Sequence, residues 1–212
     1  MALATVDGDL VVTGLFYPNG GQAPIQRSAL AQETYTVFEV PLFTHRIWDA
    51  VQTPLTTAGS DDLGLGAGAF ATGTPYVSAG SLGSAGATTR YARFLYQVPA
   101  NYISGQLARF QFLAGITGGT PAAASVSCTL DLEVYKVGAN ALITGSDLVA
   151  TSAQSINSTT FADTSMELTV TTLAPGDWLD CRVTIACNDA VATSTNCIPA
   201  YSKVTFQGAT KG

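Results

Sequence analysis

Charge is scarce in this chain. Asp, Glu, Lys and Arg make up 11% of its 212 residues, against roughly 25% in an average soluble domain. The nine basic residues (Arg27, Arg46, Arg90, Arg93, Arg109, Lys136, Arg182, Lys203 and Lys211) are scattered, and the formal net charge is −6. No basic stripe is available to neutralise phosphates, so neither nucleic-acid binding nor attachment to an anionic membrane surface is expected. Long apolar runs are also missing. None approaches the roughly 20 residues of a membrane span. The opening MALATVDGDL lacks the basic and apolar segments of a secretory leader, so no signal peptide is expected.

Residues for chemistry are few. Histidine occurs once, at His45, inside LFTHRIW. A catalytic imidazole needs a matched nucleophile. The closest approach to a nucleophile elbow is AGSLGSAG around Ser81, which lacks the GxSxG spacing and a strand-to-helix setting. His45 reads as a packing or interface residue. GLGAGAFATG is glycine-rich but has no following Lys-Ser/Thr pair and no βαβ context, so it reads as a flexible loop. Asp61 and Asp62 are adjacent without the spacing of a calcium loop, and a solvated turn or a partner contact is the expectation. The triplet Asn157 to Thr159 fits the glycosylation pattern, but without a signal peptide it is discounted. The four cysteines fall in no CxxC or CxxH pattern, which argues against zinc. No metal, no cofactor and no enzymatic activity are expected.

What is present is a β pattern. Hydrophobic residues reach 47%, enough for a substantial core. The hydrophobic period is two, and turn residues interrupt it often. The one short helix candidate is RSALAQE, Arg27 to Glu33. From Arg90 onward the strand candidates are RYARFLYQV, QLARFQFLAGI, SVSCTLDLEVYKV, ALITG, DLVATSAQSI, TSMELTVTTL, DWLDCRVTIAC and AYSKVTF. Eight short strands with Gly, Pro and Asn turns predict a jelly-roll-like β-sandwich over 90–212. An immunoglobulin-like sandwich is the alternative. Residues 1–89 are irregular, with Gly/Ala/Ser/Thr-rich text from Pro54 to Thr89. They predict an extended, loop-rich N-terminal arm, because a structureless stretch that long is uncommon inside a compact domain.

The stretch TLAPGDWLDCRVTIACNDA gathers two cysteines, a tryptophan and three aspartates. Strict alternation after the LAPGD turn resolves it. Leu179, Cys181, Val183, Ile185 and Cys187 share one face, and Asp180, Arg182 and Thr184 share the other. Cys128 falls likewise on the apolar face of its own strand. Cys128, Cys181 and Cys187 are therefore core cysteines, behaving as small hydrophobes. Cys181 and Cys187 cannot bridge, because six residues of strand separate them by about 20 Å while a disulfide needs Cα atoms within about 7 Å. A Cys187–Cys197 bridge stays open. Trp48 and Trp178 fit either sugar stacking or a subunit contact, where aromatics are enriched.

DGDLVVTGLFYPNG, RYARFLYQVPANYISG, LDLEVYKV, the stretch from Asp147 to Ala190 and the closing KG resemble tailed-phage virion proteins of the jelly-roll capsid decoration, or cement, group. The resemblance implies a β-sandwich on the outer capsid surface of a virion, the major capsid protein as partner, and a homo-oligomer, a trimer. The function expected is stabilisation of a capsid by bridging its capsomers, with receptor or glycan binding on a tail or fibre as the alternative. Phe16, Tyr17, His45, Trp48, Phe70 and Trp178 are the expected partner contacts.

Overall fold

The computed structural model describes residues 33–81, 86–117, 126–138, 140, 142–189 and 197–211. The chain enters through β1 (Glu33–Glu39) and a 3-10 turn (Leu42–Thr44), followed by β2 (Gly64–Gly66) and β3 (Tyr76–Ser78). The long strands are β4 (Gly86–Gln97), β5 (Ala108–Thr117), β6 (Val126–Val137), β10 (Trp178–Asp189) and β11 (Ile198–Lys211), with β7 (Ile143–Thr144), β8 (Gln154–Ser155) and β9 (Ala162–Glu167) between them. The sequence candidate DLVATSAQSI contracts to the two residues of β8, and AYSKVTF lengthens in both directions into β11. DLVVTGLFY and nearly all of RSALAQE lie outside the described residues.

All pairings between these strands are antiparallel. One sheet runs β1-β11-β5-β9, with β3 and then β2 continuing the β1 side of β11. The second runs β4-β10-β6-β7, with β8 also on β6. The chain passes from one sheet to the other at β4, β5, β6, β9, β10 and β11. Counting β7 and β8 as one position, the eight positions take the orders first-eighth-third-sixth and second-seventh-fourth-fifth. That connectivity is the jelly roll, two interlocked Greek keys.

The core follows from period-two alternation. Cys128, Leu130, Leu132 and Val134 of β6 are buried, as are Leu179, Cys181, Val183, Ile185 and Cys187 of β10. The facing sheet contributes Phe110, Phe112, Met166, Val204 and Phe206. Phe94 meets Phe110 edge-on at 5.6 Å, and Phe110 meets Phe206 at 5.4 Å. Each such aromatic pair adds about 1 kcal/mol beyond its buried area.

Two local devices complete the sheets. Register shifts between Tyr201 and Lys203, so Ser202 is an extra residue in β11. The bulge lets both Tyr201 and Val204 face inward despite their odd spacing. In the LAPGD turn Gly176 takes φ 83°, a left-handed conformation that suits glycine. Asp177 accepts from the Ala174 N–H at 2.7 Å, and Val98 ties this turn to the end of β4 through two backbone bonds.

The sandwich draws on residues from both sides of the expected division at 89. β1 pairs along β11, and Leu55, Leu63, Val77 and Ala79 join the core. Gly64 makes this close packing possible, since a Cβ there would lie 2.0 Å from the Ala58 backbone nitrogen. Much of the described part of the expected arm thus packs into the sandwich through a few singly placed apolar residues, while 67–75 stay exposed.

Candidate functional site

Two surfaces stand out, one on each side of the sandwich. The first lies on the outer face of the second sheet. Antiparallel register aligns Leu95, Asp180 and Tyr135 in one row across β4, β10 and β6, and Arg93, Arg182 and Glu133 in the next. The Arg93 guanidinium grips Asp180, with Nε to Oδ1 at 2.6 Å and a second bond to Oδ2. Asp180 is only 7% exposed, so this bidentate pair is what satisfies a largely desolvated carboxylate. Its hydrogen bond to Asp180 raises the Arg93 pKa further above its usual value. Arg182 donates to Glu133 at 2.6 Å and lies over the rings of Trp48 and Tyr91, at 5.7 and 5.1 Å. Trp48 donates its indole N–H to Asp61 at 3.1 Å and packs on Tyr91 at 5.2 Å.

Trp48, Arg93, Glu133, Tyr135, Asp180 and Arg182, with Asp49 and Ile143, line an open trough of about 340 Å³. Beside it Trp178 is 49% exposed and Leu95 47%. The trough combines fixed charge pairs with aromatic rings, a composition that orients a polar ligand with an apolar face. Among the described residues no group of three or more His, Cys, Asp or Glu could hold a metal ion. None of the described helices is long and apolar enough to cross a membrane.

The second surface is apolar and lies along the edge formed by β1, β2 and β3. Pro41, Leu42, Phe43, Leu65, Ala67 and Pro75 dominate a groove of about 530 Å³. Phe43 is largely exposed, Phe70 is fully exposed, and Tyr35 and Val37 of β1 are more than half exposed. Among the described residues β1 pairs only with β11, which leaves its far edge open for pairing.

The expected contact residues separate accordingly. Trp48 and Trp178 share the outer face of the second sheet. Trp48 is held by Asp61, Tyr91 and Arg182, while Trp178 presents its ring to solvent. Phe70 belongs to the apolar edge. Phe16 and Tyr17 lie outside the described residues. His45 is not on the surface at all. The turn at 42–44 folds its ring inward against Phe94 at 4.7 Å and Tyr201 at 5.6 Å, leaving it 1% exposed. Burial lowers its pKa to about 4, and the nearby Pro41 and Leu42 carbonyls only partly oppose this. The residue is therefore a neutral core imidazole at neutral pH.

Cys128, Cys181, Cys187 and Cys197 are all buried, and none is in a disulfide. Cys187 lies opposite Cys128 in the β10–β6 register. Sequence reading missed the Arg93–Asp180 and Arg182–Glu133 pairs. Their signal was available: in a chain poor in charge, outward positions 180, 182 and 133 are all charged. Phe43, Tyr35 and Val37 carried no such signal, because only the sheet pairing turns them outward.

No family model matches the chain, and no curated protein does. Solved structures that resemble it distantly include the following three. A non-crystalline-cellulose-specific carbohydrate-binding module shows 13% identity over 71% of this chain and 80% of its own, with a TM-score of 0.34. The isomalto-dextranase of Arthrobacter globiformis T6, complexed with panose, shows 17% identity over 81% of this chain and 23% of its own, with a TM-score of 0.34. The infectious bursal disease virus Gx strain structure shows 9% identity over 95% of this chain and 37% of its own, with a TM-score of 0.32. At these scores the likenesses carry no argument about ligand or partner, and the fold rests on the strand connectivity itself.

Proposed function

We propose that the chain is a non-enzymatic structural virion protein that attaches to the outer surface of a phage capsid and bridges its capsomers. The observation that carries this reading is the apolar edge. Exposed apolar patches rimmed by polar surface mark interaction sites; Phe43 and Phe70 are exposed at two adjoining hollows that share Ala67 and Pro75, and Tyr35 and Val37 are exposed on β1 of the same sheet. The far edge of β1, unpaired among the described residues, adds backbone donors and acceptors to the same surface. A closed oligomer, a trimer in this reading, shields such edges by repeating one contact around an axis. The capsid protein is the partner in this reading, because the sequence resembles capsid decoration proteins.

The test is co-sedimentation with empty shells of the corresponding capsid protein. The wild type should pellet with the shells. The double variant Phe43→Asp/Phe70→Asp should stay in the supernatant while keeping its circular dichroism spectrum. Equal pelleting of the folded double variant would refute the assignment of this edge.

A second reading, glycan binding, is favoured by one specific observation. Trp178 is half exposed beside a trough with Tyr135, Glu133 and Asp49. Ring faces and carboxylates are the groups that hold the C–H face and the hydroxyls of a sugar. Loss of glycan-array binding in Trp178→Ala would support this reading, and no binding by the wild type would remove it.

A further inference from the structure

We propose that Cys128 and Cys187 form a modification site, a cross-strand dithiol that hydrogen peroxide oxidises to a disulfide linking β6 to β10.

The two residues are direct partners in the antiparallel register. Their kind of pairing follows from where the Cys128 backbone points. Its carbonyl accepts from the Ile156 N–H at 2.9 Å, on the β8 side of β6. The N–H and C=O of one strand residue point the same way. Those of Cys128 therefore face away from β10. Val134 has the same parity and agrees: its carbonyl accepts from Leu148, and its N–H donates to Asp147. Cys128 and Cys187 thus form a non-hydrogen-bonded pair, in which Cα atoms approach to about 4.5 Å and side chains lie closest. A disulfide requires Cα separations of about 4.4–6.8 Å. Both side chains point into the core from adjacent strands and need no backbone rearrangement to meet.

Three further features define the chemistry. A hydrogen bond with Cys128, then burial, hold the Cys187 thiol well above its usual pKa, and Cys128 and Cys197 add to this electrostatically. Little Cys187 thiolate exists at neutral pH, so its oxidation is slow and accelerates in alkali. Peroxide is small enough to reach a site that larger oxidants cannot. Cys181 provides an internal control, since its neighbour in the β6 register is Val134.

The reaction balances without any other partner. One thiolate attacks peroxide, the O–O bond breaks, and hydroxide leaves a sulfenic acid. The second thiolate attacks that sulfur, the S–O bond breaks, and a second hydroxide leaves as the S–S bond forms. The two thiol protons neutralise the two hydroxides. Two thiols and one peroxide give one disulfide and two waters. The bridge closes a loop of about 60 residues, long enough to restrict the unfolded chain strongly.

The experiment treats the folded full chain with peroxide at mildly alkaline pH. It then denatures the chain in acid, alkylates the remaining thiols and maps the peptides by mass spectrometry. The expected product is a Cys128–Cys187 linked peptide lacking two hydrogens, with Cys181 alkylated. The oxidised wild type should melt at a higher temperature than the reduced protein, and Cys128→Ala should show no such rise. Recovery of Cys128 and Cys187 both alkylated would overturn the proposal. So would a Cys187–Cys197 link in the wild type, which would place the reactive pair across the gap between the sheets.

Discussion

Acidification from about pH 7 to about pH 5 should destabilise this protein through a single side chain. His45 has a pKa of 6.5 in the unfolded chain and about 4 in the fold, because burial disfavours its charged form. A depressed folded pKa means that the unfolded state binds the proton first. The stabilising difference is therefore complete above about pH 6.5, shrinks as pH falls towards 4, and stays lost below that. The whole gap corresponds to about 3 kcal/mol, at about 1.4 kcal/mol per tenfold difference in proton affinity. About 2 kcal/mol of it is gone by about pH 5. Total stability of a domain is about 5–15 kcal/mol, so the loss is readily measured. The variant His45→Leu keeps an apolar side chain of similar bulk between Phe94 and Tyr201 and removes the proton site. Urea unfolding followed by tryptophan fluorescence at both pH values gives the comparison. The wild type should lose about 2 kcal/mol more than His45→Leu on acidification. Because His45 is the only histidine, no other imidazole contributes. Parallel losses in the two proteins would refute the assignment of a buried neutral imidazole.

Arg93→Ala should cost about 3 kcal/mol in urea unfolding, because it strands the buried Asp180 carboxylate; the double variant Arg93→Ala/Asp180→Ala should recover part of that loss. Gly64→Ala should destabilise by about 2 kcal/mol or more by calorimetry, since the new Cβ meets the backbone of Ala58 and not a movable side chain. Tyr201→Phe should leave stability unchanged or raise it by about 1 kcal/mol, because the Tyr201 hydroxyl is buried with no hydrogen-bond partner among the described residues; a loss of comparable size would point to a water bound there. Trp178→Ala should change stability by less than about 1 kcal/mol, as expected for a half-exposed ring.

Much of the second half of the chain was legible in its sequence. The inward faces of β6 and β10, with Cys128, Cys181 and Cys187 on them, follow from alternation alone, because each residue of a strand reverses the side-chain direction. The LAPGD turn was legible because Pro175 and Gly176 restrict the backbone in specific ways. The first half was not legible in the same way. Leu55, Leu63 and Val77 sit singly among small residues, so no period announces them, yet all three complete the core. His45 read as either a packing or an interface residue because its neighbours in sequence gave no direction; only the turn at 42–44 sends it inward. The bulge at Ser202 broke the alternation that AYSKVTF suggested, and an extra residue in a strand leaves no local mark.

The sequence by itself determined which faces of the long strands are apolar, where the chain turns and which fold class results. These properties depend on residues within a few positions of each other. The tertiary structure decided which strands became neighbours, and with them the Arg93–Asp180 grip, the Trp48–Tyr91–Arg182 stack, the Cys128–Cys187 pair and the exposed edge at Phe43. Each joins residues far apart in the chain, and only the pairing of the strands supplies the few ångströms over which hydrogen bonds, ring contacts and thiol chemistry operate.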